Sequence, residues 1–198
     1  MNNLRNLALL GAVLAASASS ALATPVTYST VGTFSSSGTN VATFGSGANT
    51  LTLTYIGPQN ASVNTPTNAT AGEFITTVTG SGASLSGTFN LTVDQTGPTA
   101  ASGTFLDLLS GAISSNSSSG LVQFSNLTLN LGTSIYTLQQ PPAGYFLVPP
   151  QSASGDTTVQ MTITSAMSAP EPASLILLGT GMLGASALFF RRRRLAWS

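Results

Sequence analysis

No cysteine, histidine or lysine occurs in the chain, and charge of either sign is scarce. Charged residues make up 5% of the 198, against roughly a quarter in an average soluble protein. Without cysteine the protein depends on no disulfide. Without His, Cys or Lys no ordinary base can activate its many serines, which excludes a hydrolase triad. Carboxylates alone are poor ligands for soft metals, so a zinc site is nearly excluded as well. The basic residues stand only at the ends, Arg5 at one and Arg191, Arg192, Arg193 and Arg194 at the other. Between Thr24 and Ala169 the only charges are Glu73, Asp94, Asp107 and Asp156. A middle region that is a weak anion without a cation cannot neutralise phosphates, which argues against nucleic acid and acidic lipid as its partners. With so few titratable groups, its stability is expected to vary little between about pH 5 and pH 8.

The four carboxylates show no spacing that pairs them as acid and base for a glycoside, and no compact Asp-rich loop is present to hold calcium. Asp94 reads as a turn residue and Asp107 as part of an exposed strand face. No catalytic residue, metal or cofactor is expected, and the chain is not expected to be an enzyme.

What the sequence does contain is most distinctive at its ends. Residues 1–23 have the three parts of a secretory signal: Arg5 in a short polar start, an apolar run from Leu7 to Ala16, and small residues ending in Ala21-Leu22-Ala23. Ala21 and Ala23 suit the shallow pockets of a signal peptidase, and Pro25 discourages the helix from continuing. Cleavage after Ala23 follows. At the other end Ala173–Phe190 is a run of eighteen residues without a charge, followed at once by the four arginines. As a helix it rises about 27 Å, enough for a bilayer core. The expectation is a single transmembrane helix over 173–190, with Arg191–Arg194 as a cytoplasmic stop-transfer signal.

Pro170-Glu171-Pro172, then an apolar span, then an arginine cluster close to the C-terminus form an ordered trio over residues 170–198. In that order they resemble the PEP-CTERM sorting domain. The resemblance implies recognition of Pro170, Glu171 and Pro172 by exosortase, a membrane-embedded enzyme of cysteine-transpeptidase type, and release of the protein toward the cell surface. It also implies a bacterium that exports polysaccharide and builds biofilm or floc matrix. The two prolines hold an extended segment, and Glu171 offers a fixed carboxylate. The implied itinerary is export, a transient inner-membrane anchor, then the cell surface or the extracellular space.

From 24 to 169 the period is that of strands. Leu85, Gly87, Phe89, Leu91 and Val93 alternate with Ser86, Thr88, Asn90 and Thr92, giving one apolar and one hydroxylated face. Leu51, Leu53 and Tyr55, then Leu127, Leu129 and Leu131, then Val159, Met161 and Ile163 repeat the pattern. Val122 and Phe124 have the opposite parity to Leu127, which predicts a bulge near Ser125 and Asn126. Other strands are expected at 26–34, 40–44, 73–79, 104–109, 134–138 and 145–148, with a flexible stretch from Gln151 to Gly155. Ser86-Gly87-Thr88-Phe89 echoes Ser102-Gly103-Thr104-Phe105 across Gly97-Pro98, as two strands of a hairpin would. Many short half-buried strands without a helical period imply an all-β fold, an antiparallel β-sandwich-like domain.

The function expected is that of an exported structural or interaction protein of the cell surface or matrix. Signal peptidase and exosortase are its processing partners. The alternative is an exopolysaccharide-binding module with Tyr28, Tyr55, Tyr136 or Tyr145 as stacking platforms. The threonine faces around Thr50, Thr52 and Thr54 and around Thr162 and Thr164 cover the wet side of a sheet.

Overall fold

The computed structural model describes residues 25–165, together with 180 and 181. Fourteen strands follow in order: β1 (Pro25–Phe34), β2 (Val41–Ser46), β3 (Asn49–Ile56), β4 (Ala61–Asn64), β5 (Thr67–Thr79), β6 (Ala83–Ser84), β7 (Gly87–Gly97), β8 (Ala101–Ser110), β9 (Ala112–Ile113), β10 (Leu121–Phe124), β11 (Thr128–Leu131), β12 (Ser134–Leu138), β13 (Tyr145–Phe146) and β14 (Asp156–Ser165). Two six-stranded sheets form the sandwich. The first runs β13-β10-β8-β7-β1-β4 and the second β11-β12-β14-β5-β3-β2, while β6 and β9 make a separate pair. Every pairing is antiparallel.

The alternation in sequence is the alternation in burial. In β3, Leu51, Leu53 and Tyr55 are buried between half-exposed threonines, because successive side chains leave a strand on opposite faces. The same holds for Val159, Met161 and Ile163 in β14. The inner faces meet in an aromatic cluster centred on Phe89. Its ring lies 4.8 Å from Phe34, 4.9 Å from Phe74 and 5.1 Å from Tyr55, centroid to centroid. Rings from both sheets thus share one contact, in the tilted and edge-on arrangements aromatic quadrupoles favour. Gly32 makes room for it: a Cβ there would lie 2.3 Å from Phe89 Cζ and 2.4 Å from Tyr55 Cδ1.

β5 carries the irregularity on which the packing turns. Val159 pairs with Gly72 and Gln160 with Thr70, so Ala71 is an extra residue with no partner on β14. This β-bulge turns the Ala71 carbonyl out of the ladder. Gly72 supports it with φ +143, and a Cβ there would lie 2.3 Å from Tyr55 Oη.

The expected hairpin is present, as β7 pairs with β8 across Gly97-Pro98. The parity change near Ser125 and Asn126 is not a bulge, however. β10 ends at Phe124 in the first sheet and β11 begins at Thr128 in the second, so the chain changes sheet and its inward parity changes with it. Asn126 secures the crossing by continuing the edge of β8. Its Oδ1 accepts Leu106 N–H at 2.8 Å, and its Nδ2 donates to Thr104 O at 3.2 Å. The stretch expected to be flexible, Gln151–Gly155, contains a 3-10 turn at Ala153–Gly155 with Gly155 buried.

The single transmembrane helix expected over 173–190 needs correction. Among the described residues no helix is long and apolar enough to cross a membrane. Within that stretch Thr180 and Gly181 are helical, and the remainder lies outside the described residues. The physical weakness is legible: the run is at the short end of what spans a bilayer, and Gly179, Gly181 and Gly184 each weaken a helix. The inner-membrane anchoring stage, and membrane contact through 173–190, rested on that helix and are withdrawn with it.

Gly72→Ala should lower stability by about 1–3 kcal/mol, since it joins a left-sided backbone angle to a side-chain collision. Urea unfolding checks this: the midpoint should fall with the slope unchanged, and an unaltered midpoint would contradict the bulge geometry.

Candidate functional site

The four tyrosines proposed as sugar platforms are all inside, at 1%, 2%, 0% and 7% exposure for Tyr28, Tyr55, Tyr136 and Tyr145. A ring that stacks on a sugar must be exposed, so that mode of binding is corrected. Each hydroxyl instead reaches across the sandwich. Tyr28 of β1 donates to Thr70 O of β5 at 2.9 Å, and Tyr136 of β12 donates to Gln95 Oε1 of β7 at 2.8 Å. Tyr145 of β13 donates to Gln160 O of β14 at 3.2 Å. Tyr55 of β3 and Thr30 of β1 meet at 2.9 Å, and both hydroxyls contact the freed Ala71 carbonyl. Burial raises the pKa of all four phenols above the ordinary value; Thr30 opposes the shift at Tyr55, and Tyr28 adds to it at Tyr55 and Tyr136.

The carboxylates are dispersed. Among the described residues no group of three potential ligands could hold a metal ion. Asp94 is a strand residue of β7, not a turn residue, and accepts Ser102 Oγ–H of β8 at 2.6 Å. Glu73 is half-buried on β5 and Asp156 exposed on β14.

Asp107 departs furthest from expectation. Read as exposed, it is buried at 3% between Phe89 and Phe124, its partners on the two flanking strands. Its Oδ1 accepts the Phe89 N–H at 3.1 Å, while among the described residues neither Oδ2 nor the buried Thr76 Oγ1 has a hydrogen-bond partner. Burial pushes the Asp107 carboxyl up to about 8, against the opposing pull of the Phe89 N–H. The group is therefore held in its neutral form near neutrality.

A groove of about 410 Å3 opens along β1 beyond Tyr28, where β4 no longer covers its edge. Val31, Thr33, Thr39, Asn40, Ile56 and Gln59 line it. No sequence motif marks these residues, because they come from three separate segments that only the fold brings together.

Signal-peptide residues Ala21 and Ala23, the Pro170-Glu171-Pro172 tripeptide and Arg191–Arg194 lie outside the described residues. Comparison decides the tail: the family model for the PEP-CTERM protein-sorting motif matches residues 168–194. The chain carries a PEP-CTERM sorting motif. No curated protein and no solved structure matches the chain. The PEP-CTERM motif marks a protein destined for export and surface sorting through an exosortase-type system, and the match takes in Pro170, Glu171, Pro172 and all four terminal arginines.

The exported body should show the pH dependence that Asp107 dictates, contrary to the flat profile expected from composition. Its folded pKa lies above the unfolded value, so stability is full below about pH 4 and declines as pH rises toward about 8. The decline is at most about 1.4 kcal/mol per pH unit. Asp107→Asn should flatten the profile, as read from melting temperatures at pH 5 and pH 8; a wild-type profile as flat as the variant's would refute the buried neutral acid.

Proposed function

We propose that the chain is a structural or interaction protein of the cell surface or extracellular matrix, released from its leader after Ala23 and delivered by its sorting motif. The motif at 168–194 carries this reading. The body it delivers supports it. Its outer faces present hydroxyls and amides rather than charge, and the first sheet exposes Leu106, Leu108 and Phe146 at 52%, 61% and 59%. Leu108 lies opposite Gln123, and Phe146 opposite Leu121, on adjoining strands. Exposed apolar side chains gathered on one face mark a surface for association.

A second reading, an exopolysaccharide-binding module, draws its support from the groove along β1 and not from the tyrosines. Its walls mix two exposed aliphatic side chains with amides and hydroxyls, the composition of a small-molecule site.

Expression in hosts with and without exosortase tests the leading reading. With the enzyme, intact mass should show a chain beginning near Thr24 and lacking the tail beyond the motif's tripeptide, and Glu171→Ala should accumulate unprocessed. The double variant Leu108→Ser, Phe146→Ser should be processed normally yet pass from the matrix fraction into the medium. Retention of that variant in the matrix would remove the association face from the account.

A further inference from the structure

We propose that the groove along β1 binds one ring of a neutral sugar, held by the backbone of Gly32 and the side-chain carbonyls of Asn40 and Gln59. The proposal deepens the second reading above by giving it a site.

The edge of β1 supplies the first element. Thr30 N–H donates to Pro58 O at 3.0 Å and Phe34 N–H to Thr39 O at 2.8 Å, so both residues direct their backbone groups away from β7. Backbone groups in an antiparallel pair alternate between the two sides. Gly32, midway between them, therefore turns its N–H and C=O the same way, into the groove, where among the described residues no loop carbonyl or amide meets it. Glycine is required at position 32, because a Cβ there would collide with Phe89 and Tyr55 on the inner face.

Two amides converge on the same opening, each anchored through its nitrogen. Asn40 Nδ2 donates to Tyr55 O at 3.1 Å, and Gln59 Nε2 donates to Thr30 O at 3.3 Å. Those bonds fix the orientation of each amide and leave Asn40 Oδ1 and Gln59 Oε1 as acceptors without a described partner. Thr33 adds a hydroxyl. Val31 and Ile56, 48% and 47% exposed, give the groove its apolar walls.

The chemistry selects the ligand. The groove offers both acceptors and donors, which suits hydroxyl groups that accept and donate alike, and the aliphatic walls suit the C–H face of a pyranose. Among the described residues no charged side chain lines the groove. Phosphate, sulfate and uronate groups therefore find no cation there. An added peptide strand does not fit either. The closures at Thr30 and Phe34 leave about 13 Å of open edge at ~3.3 Å per residue, with only Gly32 left to pair within it among the described residues.

The test uses the full chain, isotopically labelled, titrated by nuclear magnetic resonance with glucose, galactose, mannose and N-acetylglucosamine at millimolar concentrations. At least one should produce saturable shifts in the Gly32 amide and in the Asn40 and Gln59 side-chain amides, with glucuronate at least about tenfold weaker. Val31→Glu should abolish the shifts, and Thr128→Glu, exposed on β11 away from the groove, should preserve them. Saturable shifts confined to other residues would overturn the groove while leaving the second reading standing; no saturable shift with any of the four sugars would end both. Shifts that survive Val31→Glu, or that arise with an extended peptide and not with sugars, would also overturn the assignment.

Discussion

Tyrosine hydroxyls set the spacing of the sandwich. Tyr28, Tyr136 and Tyr145 span the interior and end on a carbonyl or an amide of the opposite sheet, while Tyr55 meets the Thr30 hydroxyl of the opposite sheet and donates to the Ala71 carbonyl of its own. A buried phenol left without a partner costs about 1–3 kcal/mol, so each bond is less a source of net stability than a condition on where the sheets must sit. The bulge in β5 belongs to the same device. By displacing Ala71 from the ladder it creates the acceptor that Tyr55 and Thr30 share, and Gly72 beside it leaves room for the Tyr55 hydroxyl. The aromatic cluster around Phe89 then packs at the separation those bonds define.

A body without cations has to satisfy its interior with neutral groups. Between 25 and 165 there is no Lys, Arg or His, so no buried carboxylate can be neutralised by a partner, and Asp107 is accommodated by keeping its proton. Tyr, Thr, Gln and the backbone take the place that ion pairs hold in other domains. The surface follows the same rule, with rows of threonine on the second sheet, such as Thr43 against Thr52 and Thr77, in place of a charged coat.

Much of the fold was legible because burial follows the period of two. Strands such as β3, β7 and β14 carry apolar residues at one parity only, and their inward faces could be read directly. β8 could not be read in that way. Phe105 and Leu109 point inward, but Leu106 and Leu108 on the opposite parity are equally apolar, so nothing local says that Asp107 shares the buried face. The tyrosines misled for a related reason: composition counts a phenol as amphipathic, and only tertiary structure tells whether its hydroxyl meets solvent or the other sheet. The crossing at Ser125 and Asn126 looked like a bulge because a change of sheet and an inserted residue shift parity alike. β4, β6 and β9 are too short to show a period. The groove along β1 was invisible because it depends on where β4 stops, whereas the sorting tail was legible because its signal is linear.

The central claim, that all four tyrosines are internal ties between the sheets, is tested most directly by titrating the native chain and following tyrosinate absorbance near 295 nm. Free tyrosine is half ionised at about pH 10. The account requires no tyrosinate signal at that pH while the fold persists, and ionisation of all four residues only together with unfolding at higher pH. A tyrosine that ionised near pH 10 with the sheet spectrum intact would show a hydroxyl open to water, and the account of how the two sheets are held together would be wrong.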